Sequence, residues 1–486
     1  MLFNSHIFLF VFLPLTLAGF FLLGKWGALR TGLAWLAIMS VGFYAWWNPW
    51  HVPIVLGSIG GNFLIGRQLS GASVHRRRWL VVGVVANLVL LGWYKYAGFF
   101  ARTLNEIPGL HLPVLQTALP LGISFFTFTQ IAYLVDNWRG RAGPYGGLRY
   151  ALFVLFFPHL IAGPIVHHHQ LIPQLRRREI FRFDPETFAA GVVLFVIGLG
   201  KKTILADGIA AFVRPVFQAA ASGETPGFVA AWGAALAYTL QLYFDFSGYS
   251  DMALGLARMF GVRFPVNFNS PYKAANIADF WRRWHMTLSA FLRDYLYLPL
   301  GGNRGGRART LRNLFLTMLL GGLWHGAGWT FVVWGGFHGA CLVAHHLWVH
   351  WRGTAHGGSA PGRMAARAAT FLAVVVGWVF FRAESLPVAG RMLQSMANPW
   401  AALGGGFPAR GFVWIAVLLA VVWWAPNSQQ MLARFEPALD PVPLPSSGRV
   451  RLAWQPNLAW AAGTACVFVL AVLHLSRISE FIYFQF

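Results

Sequence analysis

Hydrophobic residues in this chain run in long blocks, and charged residues are largely confined to the short stretches between them. A helix that crosses a bilayer needs about 20 apolar residues, or about 17–25 with tilt. Blocks of this kind lie at Leu2–Leu23, Thr31–Trp47, Val52–Gly66, Trp79–Phe100, Ala118–Val135, Tyr150–Ile172, Thr187–Ala206, Gly227–Tyr249, Leu314–His350, Ala368–Ala383, Gly411–Ala425 and Pro456–His474. They predict an all-α, polytopic transmembrane bundle, a single domain over residues 1–486. The first block has no charge ahead of it and Lys25 behind it, the reverse of a cleavable signal peptide, so it is expected to stay in the membrane.

Where the basic residues fall sets the orientation. With the amino terminus outside, 29 of the 38 Lys and Arg lie in inner loops and five in outer ones; Lys95, Lys201, Lys202 and Arg382 sit within or at the ends of spans. Two blocks, Tyr150–Ile172 and Leu314–His350, then begin and end on the inner side and are predicted to be re-entrant. Pro158 and Gly163–Pro164 would break the first. Gly321, Gly322, Gly326 and Gly328 would bend the second. Backbone freed at such bends is tolerated only in protein or beside a water-filled cavity, so a tunnel is expected there, floored by the basic region 258–312.

Composition agrees and narrows the function. Of 486 residues 57% are hydrophobic and 11% charged, against roughly a quarter charged in soluble domains. The net charge of +23 is spread between apolar blocks, which matches lipid contact and excludes a nucleic-acid face. Cys341 and Cys466 form no disulfide framework or metal pair. The run His167–His169 has no cysteine or clustered carboxylate nearby in sequence, so no metal site is expected.

The segment Asp279–Leu300 reads as an amphipathic helix. Trp281, Trp284, His285, Leu288, Phe291, Leu292 and Tyr295 share one face; Arg282, Arg283, Thr287, Arg293 and Asp294 share the other. His285 is thus either a packed aromatic of an interfacial helix or a functional group. His325, in Leu323-Trp324-His325-Gly326, lies in a stretch with no charged residue from Asn313 to Trp351. Ionisable groups placed so deep point to function; His338 has the same qualities. Asp245 and Asp251 fit ion pairs with arginines such as Arg258 or Arg282. Two histidines without a Ser or Cys nucleophile suit general-base activation of a hydroxyl.

Taken in order, MLFNSHIFLFVFLPL, FYAWWNPW, NLVLLGWYKYAGFF, LPLGISFFTFTQIAYLVDNWRG, FFPHLIAGPIV, YFDFSGYSDMALG, FWRRWHMTLSAFLRDYLYLPLGGNRGG, GLWHGAGWTFVVWGGFHG, GWVFFRAESL, APNSQQ and FIYFQF span nearly the whole chain. This set resembles the membrane-bound O-acyltransferases, most closely the branch that acetylates alginate; the teichoic-acid D-alanylation branch is similar but should match less well. His167 departs from the pattern, standing where related sequences carry Arg. The resemblance implies an acyltransferase of the bacterial inner membrane with its essential histidine at His325 and a second site position, often His or Asn, at His285. It implies acetyl-CoA as a cytoplasmic acyl donor, no permanently bound cofactor, a periplasmic esterase-like partner and a polysaccharide acceptor. Arg282, Arg283, Arg304 and Arg307 would suit the donor's phosphates, and Trp284, Trp324 and Asp245 would line the tunnel. A transporter or channel for an anionic polysaccharide is the competing reading, and a scaffold for a secretion complex a third. Missing repeated halves and a missing charge-lined span speak against transport.

Overall fold

The computed structural model describes the chain apart from residues 27–28, 72–73, 116, 144, 162, 354–358, 401–405, 441–451, 476–481 and 483–486. Arg449, Arg451, Arg477 and most of the 437–447 loop and of the FIYFQF string lie outside the described residues. Every regular element among those described is helical. The blocks become α1 (Leu13–Trp26), α2 (Leu29–Ala45), α3 (Val52–Ser70), α4 (Arg76–Leu91), α5 (Ile123–Trp138), α6 (Pro185–Gly200), α7 (Phe228–Met259), α8 (Ile277–Trp281), α9 (Met286–Leu292), α10 (Arg307–His325), α11 (Trp329–Arg352), α12 (Ala360–Arg382), α13 (Ala409–Trp424) and α14 (Leu458–Leu473). Four helical stretches are long and apolar enough to cross a bilayer, Phe8–Trp26, Arg76–Leu104, Pro185–Ala210 and Ala360–Arg382; α2, α13 and α14 are shorter apolar helices. The chain is an all-α, multi-pass membrane protein.

At the centre α6 lies against α7, the most extensive helix pair in the molecule. Glycines let the two backbones approach, as small residues do where lipid supplies no hydrophobic drive. A Cβ on Gly198 would stand 2.5 Å from the Gly248 carbonyl, and one on Gly255 2.6 Å from that of Gly191. Beyond α6 the helix continues as a π turn, Lys201–Ala206. Lys201 pairs with Asp251 at 2.6 Å, and Lys202 with both Asp245 (2.7 Å) and Asp207 (2.8 Å). The carboxylates of α7 are therefore paired, but with these lysines and not with Arg258 or Arg282. The expected span Gly227–Tyr249 also continues to Met259; 32 residues extend about 48 Å, more than the hydrocarbon core.

Three sequence expectations change shape. The 150–172 block is broken, as Pro158 and Gly163–Pro164 predicted: helix Gly147–Leu155 stops at Phe156, a single turn Phe157–Leu160 carries Pro158, and residues 164–167 belong to no regular element. The 314–350 block turns back on itself as expected, as a hairpin of α10 and α11. Its bend is Gly326–Gly328 alone; Gly322 lies inside α10, where a Cβ would meet Gly335 of α11 at 2.9 Å. The basic region is not a surface floor throughout, since Val262, Phe264, Val266 and Phe268 are buried in a segment without regular structure.

The basic loops nevertheless come together. Arg76 donates to the carbonyls of Asn137 (3.2 Å) and Trp138 (3.1 Å). Arg139 lies 5.9 Å over the Tyr295 ring and Arg176 5.7 Å over that of Tyr145. The Gln174 side-chain amide donates to the Arg263 carbonyl and accepts from the Arg263 N–H, both at 2.9 Å, and Arg258 donates to the Phe435 carbonyl at 3.2 Å. Five basic stretches distant in sequence are thus joined by contacts, the grouping that the charge pattern anticipates.

Candidate active site

His285 owes its place to a break in what the sequence reads as one helix. Chain 279–300 forms α8, a turn at 282–285, α9 and a π turn, Arg293–Tyr297. His285 itself is left-handed, φ 45° and ψ 53°, a conformation that costs most residues free energy but that His and Asn adopt more readily. The irregular segment 267–269 holds it there. Asn269 N–H donates to the Arg283 carbonyl and Met286 N–H to that of Asn267, both at 2.9 Å. The preference for His or Asn implied at this position by the family resemblance has a backbone reason.

The same segment sets the ring. Asn267 donates its amide to Ser250 Oγ at 3.2 Å, so its Oδ1 faces the other way. That oxygen accepts from the Thr287 hydroxyl at 2.9 Å and lies 3.0 Å from His285 Nδ1. An acceptor there makes Nδ1 the protonated nitrogen, which leaves the lone pair of a neutral ring on Nε2. Thr287, placed by the helical wheel on the solvent face, is buried and takes the Ile165 N–H at 3.0 Å, tying the broken 150–172 segment to the site. The wheel failed because the left-handed turn resets the phase.

His325 is the last residue of α10. From Asn313 the helix runs about 20 Å to reach it. Its ring is enclosed by Trp324, Trp334 and Phe381 at centroid distances of 4.8, 4.9 and 5.3 Å. The two imidazoles face each other at 6.5 Å, His285 fully buried and His325 4% exposed. The structure thus unites the two residues singled out from 40 positions apart. His338 lies in the next layer, stacked on Phe280 and edge-on to Trp281, neither nitrogen having a hydrogen-bond partner.

A cavity of about 520 Å³ lies beside the chain that carries His285, although neither imidazole is on its lining. Met286 and Thr287 line it, with Arg282, Arg293, His346 and Asp440 elsewhere on the lining. Of the four arginines matched to the donor, only Arg282 lines it. Arg283 is held by Asp279 at 2.9 Å, and Arg304 and Arg307 are exposed away from it. Trp284 is packed against Phe280 and Trp378, and Trp324 stacks on Phe128 at 5.5 Å. Asp245 is committed to Lys202 and to the Ile482 N–H. None of these three lines the cavity.

The histidine run does have a carboxylate beside it, contrary to the sequence reading. Ligand atoms of Asp136, His167 and His169 lie within 4.8 Å of one another. The Asp136 Oδ2 is already engaged by His168 (3.2 Å) and the Tyr295 hydroxyl (2.6 Å), and Tyr145 closes on His168 at 2.8 Å. That network joins α5 to the π turn after α9.

The chain is thus a polytopic bundle that buries two neighbouring histidines, with a cavity carrying Arg282 and Arg293 close by in the chain. Comparison with known proteins gives this arrangement a family. Residues 111–377 match the model of the membrane-bound O-acyltransferase family. The chain is 42% identical to the peptidoglycan O-acetyltransferase of Helicobacter pylori, over 82% of this chain and 80% of that one. It is 40% identical to the probable alginate O-acetylase AlgI of Pseudomonas putida over the whole of both chains. The teichoic acid D-alanyltransferase of Bacillus subtilis is more distant, 27% identical over 55% of this chain and 68% of that one. The chain belongs to the membrane-bound O-acyltransferase family and is an acyltransferase, which sets aside the transporter and scaffold readings.

Proposed function

We propose that this protein moves an acetyl group from cytoplasmic acetyl-CoA through the bacterial inner membrane for O-acetylation of an exported polysaccharide, delivered with a periplasmic esterase-like partner. The observation that carries the reading is the pair of buried imidazoles 6.5 Å apart, with a cavity lined by Arg282, Met286, Thr287 and Arg293 against the backbone on either side of His285. Relatives named for alginate and for peptidoglycan acetylation stand close in identity, so the acceptor is described by its class, a polymer hydroxyl. His325 acts as general base on that hydroxyl. The tautomer of His285 limits its part: a lone pair on Nε2 cannot donate to a thioester carbonyl, and the single proton of the hydroxyl goes to His325, so His285 is assigned to orienting the site.

Two measurements test the donor and its side. Purified protein should bind acetyl-CoA several-fold more weakly as salt rises from 50 to 500 mM, because phosphate–arginine pairs at the open end of the cavity are screened. Arg282→Ala should cost about tenfold in affinity, one charge-assisted contact. Salt-independent binding, or none by folded protein, would remove acetyl-CoA from the reading.

For the side, cysteines are introduced singly after replacing Cys341 and Cys466 by alanine. At the exposed positions Arg77 and Arg307 they should resist an impermeant label in intact cells, and at Glu224 react with it. Labelling at Arg307 would invert the orientation.

A further inference from the structure

The base is only as well placed as the end of the helix that carries it. His325 closes α10, and Gly326–Gly328 follow at once. A helix end leaves its last carbonyls without intrahelical partners, and such ends fray. Here those carbonyls are taken from outside by two adjacent residues. Lys95 Nζ donates to the Trp324 carbonyl at 2.5 Å and to that of His325 at 3.3 Å, while the Tyr96 hydroxyl donates to that of Leu323 at 3.0 Å. The ammonium also lies 3.4 Å from Ser124 Oγ at the start of α5 and 5.9 Å from the Trp324 ring.

Three features set Lys95 apart from a packing residue. It sits in the membrane-crossing stretch Arg76–Leu104, where a cation is costly and points to function. It makes no ion pair with a carboxylate among the described residues, unlike Lys201 and Lys202. It also comes from a π turn, Gly92–Tyr96, a geometry that recurs at functional sites. A positive charge is what the negative end of a helix dipole favours.

We propose that Lys95, assisted by Tyr96, is a positioning residue for acyl transfer: it pins the carbonyl end of α10 and thereby fixes the imidazole of His325 against that of His285. The proposal rests on His325 being the base, and the test separates the two.

Membrane vesicles with quantified protein are given labelled acetyl-CoA, and incorporation into polymer is followed at saturating and limiting donor. Lys95→Met, similar in length and uncharged, should lower kcat about 100-fold, the cost of a misplacement near 1 Å. The donor KM should stay within twofold and the unfolding midpoint in detergent near that of the unaltered protein. Lys95→Arg should recover at least tenfold over Lys95→Met, and Tyr96→Phe should lose a few-fold in kcat alone.

Full kcat in Lys95→Met overturns the proposal. So does a loss that tracks a lowered midpoint and is not recovered by arginine, since that is a purely structural role. If Lys95→Met does not accumulate, Tyr96→Phe decides, and unchanged kcat there counts against it. His325→Ala is run in parallel. Activity in that variant removes the base assignment, whereas inactivity there beside a fully active Lys95→Met removes only the proposal about Lys95.

Discussion

Cells producing His325→Ala are expected to lose polymer acetylation almost entirely while the protein still inserts and still binds donor. A positioned general base contributes about 10²–10⁴-fold in rate, and alanine leaves nothing at that place to accept a proton. Binding should survive because the cavity that holds Arg282 is walled by other residues than His325. His285→Ala should cost less, and His285→Asn less again, since asparagine tolerates the left-handed backbone that holds the position. His338→Ala should change the rate little and stability slightly, because His338 is surrounded by aromatic rings and forms no hydrogen bond among the described residues. The measurement is polymer acetyl content with membrane levels matched by blotting. Normal acetylation by His325→Ala at matched levels would end its assignment as the base.

The largest effect on stability should come from Lys202→Met. Its ammonium is 1% exposed and lies between Asp245 and Asp207, themselves 1% and 9% exposed. Removing it leaves two carboxylates buried without their cation, a change that costs about 3–5 kcal/mol. The variant should accumulate poorly and unfold at a markedly lower temperature in detergent. Adding Asp245→Asn should restore part of the loss, because one of the stranded charges is then gone. A single variant as stable as the starting protein would show that the triad contributes nothing net.

How far the sequence carried this description depended on the kind of signal. Apolar block lengths placed the helices, and the charge count grouped the basic loops that contacts such as Arg76 with Trp138 now bring together. His325 and His285 were legible because each is an ionisable group in an apolar setting. Asn267, Thr287 and Tyr96 were not, because neutral polar residues near spans are common and only the fold shows which of them meet a histidine. Lys95 had a signal that was passed over: a lone cation within a span, with no carboxylate in the same stretch. The pairing of Asp245 and Asp251 was expected but not their partners, since α6 and α7 are joined by a tertiary contact that no local spacing encodes. The continuous helix over 279–300 failed at one residue, where two backbone bonds from 267–269 outweigh local helical preference.

The π turns carry a consequence for how the sequence can change length. Four occur among the described residues, at Phe8–Phe12, Gly92–Tyr96, Lys201–Ala206 and Arg293–Tyr297. Each widens the winding from i→i+4 to i→i+5 bonding, and where helix lies on both sides, as at Gly92–Tyr96 and Lys201–Ala206, it holds one residue of slack in an otherwise continuous helix. Deleting one residue elsewhere in such a helix turns everything beyond it by about 100° and faces the wrong side chains inward. At a π turn the same deletion can be absorbed by closing to ordinary α winding, which keeps both flanking faces in phase. What it discards is the local offset that aims Lys95 and Tyr96 together at the end of α10. The Gly92–Tyr96 turn is therefore a place where the bundle can afford to lose a residue and the chemistry cannot.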